Sequence, residues 1–399
     1  MRTKITPFLI LLLSLILAAI LGGIFLIANL HTPIWDEVAA AVTQTSLVTE
    51  LPVQSVQPQP VIPSDPIPTG NPEPSPLPEV QTVSAIDFFR NNITPERYAA
   101  WIRKLSGVEP VQIGGQEYTI ETRYSYAMFT GQENAKATEF LLETLRQWVP
   151  ESQITLEPYT YTDATSANTW FNIIVTFPGE TLPDEQILFS AHYDSCVVFE
   201  GNPMVYAPGA NDNGTGVATI LEAVRIFSQI KFDRTVKVIF FSGEENFQQG
   251  SKAYVEKHAG ENIIGLINMD MYGTDKDNDR CFELYVGELE SSRKLADSFI
   301  QTINENNLNL SYDYLTKNAY ALADQAPFWE GNIPAITAME NFLTDSSEGG
   351  CVGQDRTDFW HLPGDQFDTI NLTYAYDIGL AGTFTVLNLA GAHPMPATE

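Results

Sequence analysis

Residues 236–245 read Val-Lys-Val-Ile-Phe-Phe-Ser-Gly-Glu-Glu, an apolar run that stops at a glycine and two adjacent carboxylates. A short buried strand that ends in ligand-type residues is the mark of an open α/β sheet, where sites form beyond the carboxyl ends of the strands. Outward from that run, further strands are predicted at 155–162, 170–177, 187–190, 263–269, 282–286 and 333–339. Helical spacing predicts helices at 132–148, 216–230, 251–258, 291–306 and 324–329. Their alternation with short turns implies one α/β domain over 83–399, with a mixed, largely parallel central sheet flanked by helices.

The chain before that domain has a different composition. Phe8 to Leu30 is an uncharged apolar run, long enough to cross a hydrocarbon core of ~30 Å as a helix. Arg2 and Lys4 precede it while Asp36 and Glu37 follow, which places residues 1–7 in the cytoplasm and the rest outside. The expectation is a signal anchor over 8–30, hence a single-pass cell-membrane protein with an extracytoplasmic domain. A cleaved signal peptide is the competing account and would give a secreted form, but its apolar stretch is usually shorter and ends in a small-residue site. Residues 31–82 form a linker, proline-rich from Leu51 to Glu79, a composition that favours extended polyproline geometry and a stalk.

Fifty acidic residues against 21 basic ones give a formal charge of −29, which disfavours nucleic acid as a partner. The three cysteines, Cys196, Cys281 and Cys351, show no metal-type spacing. One disulfide and one free thiol are compatible with them, and spacing does not choose the pair.

Ligand-type residues recur at strand ends. His192 follows the strand Ile187–Ser190, with Asp194 two residues on, a spacing that lets the carboxylate orient the imidazole. Asp212 sits in the glycine-rich turn 208–216, which opens into a helix; helix capping is the bland account, yet capping alone does not require glycines on both sides. Glu244 and Glu245 must point in different directions, which suits one as a metal ligand and the other as a general base. Asp270 ends an otherwise apolar strand, a costly place for a carboxylate unless it is paired or metal-bound. His361 lies among aromatic residues near the C-terminus. Two imidazoles and three carboxylates suit a pair of zinc ions about 3.5–4 Å apart that share one carboxylate. Ser195 and Ser242 lack the Gly-x-Ser-x-Gly elbow of a serine hydrolase.

The ordered blocks AHYDS (191–195), PGANDNGTGV (208–217), FFSGEE (240–245), NMDMYG (268–273) and FWHLPGD (359–365) resemble the co-catalytic zinc aminopeptidases of the bacterial leucyl aminopeptidase type. That family also contains glutamate carboxypeptidases and glutaminyl cyclases, and the resemblance runs from about Thr122 to the C-terminus. It implies that His192 and Asp270 bind one zinc, Glu245 and His361 the other, and that Asp212 bridges them. It further implies Glu244 as general base and Asp194 as the partner of His192. Leu322 to Trp329 is similar to a family segment with histidine where Gln325 stands.

The function so implied is a zinc-dependent exopeptidase, an aminopeptidase acting on peptides with a free N-terminus. A glutaminyl cyclase-like acyltransferase and a non-catalytic receptor or scaffold ectodomain are the alternatives. Met271, Tyr272, Phe342, Phe359 and Trp360 adjoin the site loops and are candidate walls of an apolar side-chain pocket.

Overall fold

In the computed structural model, residues 83–394 are described, apart from 126–131, 163–166, 318–322, 344–349 and 352. The expected membrane helix and stalk lie outside the described residues. No helix among the described residues is long and apolar enough to cross a membrane.

The sheet grows from strand β5 (Gly179–His192), whose last six residues are buried on both faces. It pairs in parallel with β6 (Ile230–Phe241) on one side and with β7 (Ile263–Met269) on the other. Alternation along these strands sorts their side chains into two cores. Phe189, Ala191, Val238 and Phe240 face helices α4 (Gly214–Phe227) and α8 (Leu372–Ala390). Leu188, Ile239 and Phe241 face Tyr254 of α5 (Gln249–Lys257) and Phe328 of α7 (Ala326–Glu330). Because successive strands leave β5 in opposite directions, its carboxyl end is a topological switch point, where a crevice opens.

The whole sheet has nine strands in the order β3-β4-β6-β5-β7-β10-β8-β9, with β11 (Ala392–Pro394) added beside β6. Here β3 is Ile154–Thr162, β4 Ala167–Phe177, β8 Cys281–Tyr285, β9 Ser311–Leu315 and β10 Ala335–Glu340. Parallel pairing holds through β6-β5-β7-β10 and in β8-β9. The β3-β4, β4-β6, β10-β8 and β11-β6 pairs are antiparallel. The sheet is therefore mixed, with its parallel part at the centre. Helices α1 (Ala85–Asn92), α2 (Pro95–Leu105) and α6 (Glu290–Glu305) pack into the same larger core as α4 and α8. Helix α3 (Gln132–Leu145) and the hairpin β1–β2 (Val111–Ile113, Gln116–Tyr118) complete the described α-helices and strands.

Candidate metal centre

His192 is the last residue of β5, and its ring is fixed from both ends. Nδ1 lies 3.2 Å from the Asp194 carbonyl and 3.5 Å from its carboxylate, while Nε2 lies 3.2 Å from both Asp212 Oδ1 and Asp270 Oδ1. The Asp194 carboxylate also accepts hydrogen bonds from Ser125 Oγ at 2.5 Å and from the backbone N–H groups of Glu244 and Glu245, each at 3.3 Å. One side chain thus ties the end of β5 to the turn that follows β6.

Capping of α4 falls to Asn213, whose Oδ1 accepts from the Gly216 N–H at 2.9 Å. Its amide donates to the Met269 carbonyl at 2.8 Å, locking the turn to the end of β7. Asp212 is consequently free of the capping role. Its own N–H and that of Asn211 are held by Asp365 at 3.0 and 2.8 Å, and the Asp212–Asn213 peptide bond is cis. The close fold of this turn does require glycine: a Cβ on Gly209, at φ +52°, would lie 2.3 Å from the Asp212 carbonyl oxygen. Beneath it the fully buried Arg123 donates to the carbonyls of Tyr193, Pro208 and Gly209.

The two oxygens of Asp212 serve different imidazoles. Oδ1 faces His192, while Oδ2 lies 3.4 Å from His361 Nε2, which in turn is 2.8 Å from Glu245 Oε2. The His361 ring stacks on Trp360 at 4.1 Å between centroids. All five expected ligands, with Glu244 and Asp194, therefore converge on one place. Glu244 Oε2 lies 3.9 Å from His192 Nε2, and its Oε1 accepts from Gln248 at 3.4 Å.

Carboxylates outnumber cationic groups in this cluster. Asp212, Glu244, Glu245 and Asp270 have buried side chains, and no lysine or arginine pairs with them among the described residues. Burial foremost pushes Glu244 well above the usual carboxylate range, with Asp270 and Glu245 adding to the rise against the pull of His192. Glu245 and Asp270 are raised chiefly by burial too. Burial opposes the imidazolium form of His361, yet Glu245 and Asp212 push its pKa up to about 11. Arg123 does not relieve the excess, since burial lowers its pKa to about 10 and its hydrogen bonds go to carbonyls. Such a set calls for added positive charge, which a divalent cation supplies. In addition, Glu245 Oε1 is buried without a hydrogen-bond partner among the described residues. The donor set of imidazole nitrogens and carboxylate oxygens fits zinc.

Beside the cluster lies a cavity of about 200 Å³, walled on its apolar side by Met271, Met339, Phe342 and Trp360. Of the expected wall residues, Tyr272 is instead buried in the core, 2.7 Å from Thr219 Oγ1, and Phe359 does not line the cavity. Four lining residues, Phe247, Gln248, Met271 and His361, have positive φ although none is glycine. Backbone strain of this kind, worth about 1–3 kcal/mol per residue, gathers at functional sites. Gln325 accepts from Thr337 Oγ1 at 2.8 Å. Sequence reading gave no role to Arg123, and it did not separate Asn213, a favoured capping residue, from Asp212.

The family model described as peptidase family M28 matches residues 172–381, a span that encloses every residue of the cluster. Leucine aminopeptidase 1 of Blastomyces gilchristii is 31% identical over 229 residues, which cover 53% of this chain and 57% of that protein. The chain thus spans little more than half the length of that relative. A Zn-dependent exopeptidase from Parabacteroides distasonis superposes with a TM-score of 0.57 at 17% identity, covering 75% of this chain and 98% of that one. The glutaminyl cyclase of Porphyromonas gingivalis gives 0.55 at 18% identity, covering 75% and 99%. Those two likenesses concern the fold alone.

Proposed function

The chain belongs to peptidase family M28, and on that premise we propose that it is a zinc-dependent aminopeptidase with two zinc ions. The observation that carries this reading is the Asp212 carboxylate, with one oxygen at His192 and the other at His361. His192 and Asp270 would hold one ion, Glu245 and His361 the other, and Asp212 would be shared. When bound, the ions polarise the scissile carbonyl and make water nucleophilic near neutral pH.

The protein's own part is positioning and proton transfer. Glu244 accepts the proton of the attacking water and returns it to the departing amine, so the carboxylate is regenerated in each turnover. Its carboxylate lies beside the ligands, 3.9 Å from His192 Nε2 and accepting from Gln248. Asp194 holds the Glu244–Glu245 backbone and His192 together, and Asp365 holds Asp212. The acidic cluster attracts the free ammonium group of a peptide. A cavity of about 200 Å³ with Met271, Phe342 and Trp360 in its wall suits one apolar side chain, which favours substrates with a hydrophobic first residue.

For location, the reading is a single-pass membrane protein with its catalytic domain outside. The Phe8–Leu30 run supports it, as does the disulfide between Cys281 and Cys351, a bond typical of oxidising compartments.

A panel of one peptide with free, acetylated and N-terminal glutaminyl ends, assayed with and without chelator, tests the activity. Cleavage of the free form alone, abolished by chelator, is the expected result. Cyclisation of the glutaminyl form without release of a residue would replace this reading with that of an acyltransferase.

A further inference from the structure

After His192 the chain leaves β5 without helix or strand, and its contacts divide the side chains. The Tyr193 hydroxyl donates to the Phe171 carbonyl at 2.9 Å and the Ser195 hydroxyl to the Ala207 carbonyl at 2.7 Å, so both are committed elsewhere. His192, Asp194 and Cys196 turn toward the cluster. Cys196 therefore reaches the cluster from the same segment as His192. The Val198 N–H, bonded to the His361 carbonyl at 3.1 Å, fixes this segment against the His361 loop.

The Cys196 thiol donates to Glu245 Oε2 at 3.1 Å, the same oxygen that lies 2.8 Å from His361 Nε2. The sulfur, a Glu245 oxygen and a His361 nitrogen all lie within 4.8 Å of one another. Zinc with bonds of about 2.0–2.3 Å spreads its ligands over that range. A second observation points to a ligand at the same spot. The Glu245 side chain is 3% exposed, and its Oε1 has no hydrogen-bond partner among the described residues. A buried structural cysteine ordinarily packs as a small hydrophobe, whereas this sulfur touches a carboxylate.

We propose that Cys196 is a ligand at the Glu245–His361 position, which makes that half of the site a sulfur-containing position and leaves the His192–Asp270 half with nitrogen and oxygen alone. The proposal rests on the zinc reading above. On binding, the thiol gives its proton to solvent and the sulfur joins as thiolate. Sulfur at one position biases it toward zinc over harder cations such as magnesium or manganese.

Cobalt(II) replacement in the purified full chain tests this by absorption spectroscopy. Of the three cysteines, Cys281 and Cys351 are joined to each other and Cys196 is free. A thiolate-to-cobalt charge-transfer band in the near ultraviolet therefore reports Cys196 in the unmutated protein. The expected result is that band, alongside the visible cobalt bands, with Cys196→Ser losing only the former and binding one zinc roughly 10–100-fold more weakly. Visible cobalt bands without charge transfer in the unmutated protein would overturn the sulfur ligand and leave the metal reading intact. Failure to bind cobalt at all would overturn both.

Discussion

Helix α4 carries buried carboxylates near both its ends, and the two are handled in opposite ways. Glu222, fully buried, receives Arg225 at 2.6 Å, Arg97 at 3.5 Å and the Trp101 indole N–H at 2.7 Å. At the N-terminal turn, Asp212 with Glu244, Glu245 and Asp270 has imidazoles for company and no arginine or lysine partner among the described residues. Burial by itself therefore does not mark a site. A buried carboxylate that the protein neutralises is structural, and a cluster it leaves in excess is waiting for a cation.

The largest test of that contrast lies in the neighbouring pair Glu244 and Glu245. Glu244→Gln keeps shape and removes basicity, so zinc content should hold while turnover falls by ~10²–10⁴-fold. Glu245→Gln removes a charged ligand, so zinc content should fall together with the rate. Metal analysis and steady-state kinetics on one unblocked peptide distinguish the two. Full activity in both variants would sink the site as described.

How far the sequence carried depended on whether a feature is local. Strand β7 was read to the residue because Ile263–Met269 is an apolar run interrupted only by Gly265 and Asn268. His192, Glu244, Glu245 and Asp270 were legible for a related reason, each lying at or a few residues past the end of such a run, whereas Asp212 was marked by its glycine-rich turn and His361 by its aromatic neighbours. Strand β5 is much longer than the predicted 187–190, because its polar first half, with Pro183, pairs with β6 through two register shifts. Helix α8 went unread since it is buried on nearly every side and offers no polar stripe. The choice of Cys281 and Cys351 as the disulfide depends on a separation of 70 residues that only the fold closes. Arg123 was invisible for the same reason, its partners being carbonyls of three separate segments, at Leu105, Tyr193 and Pro208–Gly209.

On the structural side of the comparison, Glu222→Ala strands Arg225 and the Trp101 N–H, and should cost about 3 kcal/mol of folding stability. Zinc content and the rate per folded molecule should not change. A loss of zinc would show that Glu222 belongs to the site after all. A smaller change is expected from removing metal: chelation should lower stability by about 2.7 kcal/mol if zinc had been present at 100 times its dissociation constant. Chemical denaturation with and without chelator measures it, and equal curves would mean that metal does not bind the native state.

A third solution to the same problem, and the smallest expected effect, is neutralisation by a proton. Glu283 on β8 is fully buried and forms no ion pair among the described residues. Its carboxyl group contacts the Tyr285 hydroxyl at 2.5 Å and the N–H groups of Phe342 and Leu343, each at 3.0 Å. Burial lifts its pKa to about 7; those hydrogen bonds pull it down, and Asp313 pushes it up. In the unfolded chain the value returns to about 4.3. Between those values the native state holds a proton that the unfolded state has released, so stability falls as pH rises and levels off above the native pKa. The loss attributable to Glu283 should be on the order of 2 kcal/mol between about pH 5 and 8. Because histidine ligands also titrate in acid, the informative quantity is the difference in unfolding free energy between the unmutated protein and Glu283→Gln, followed across pH. That difference should shift in favour of the variant as pH rises, even if the amide carries a constant packing cost. Parallel profiles would mean that Glu283 is ionised in the native state, and that its hydrogen bonds, rather than a proton, offset its burial.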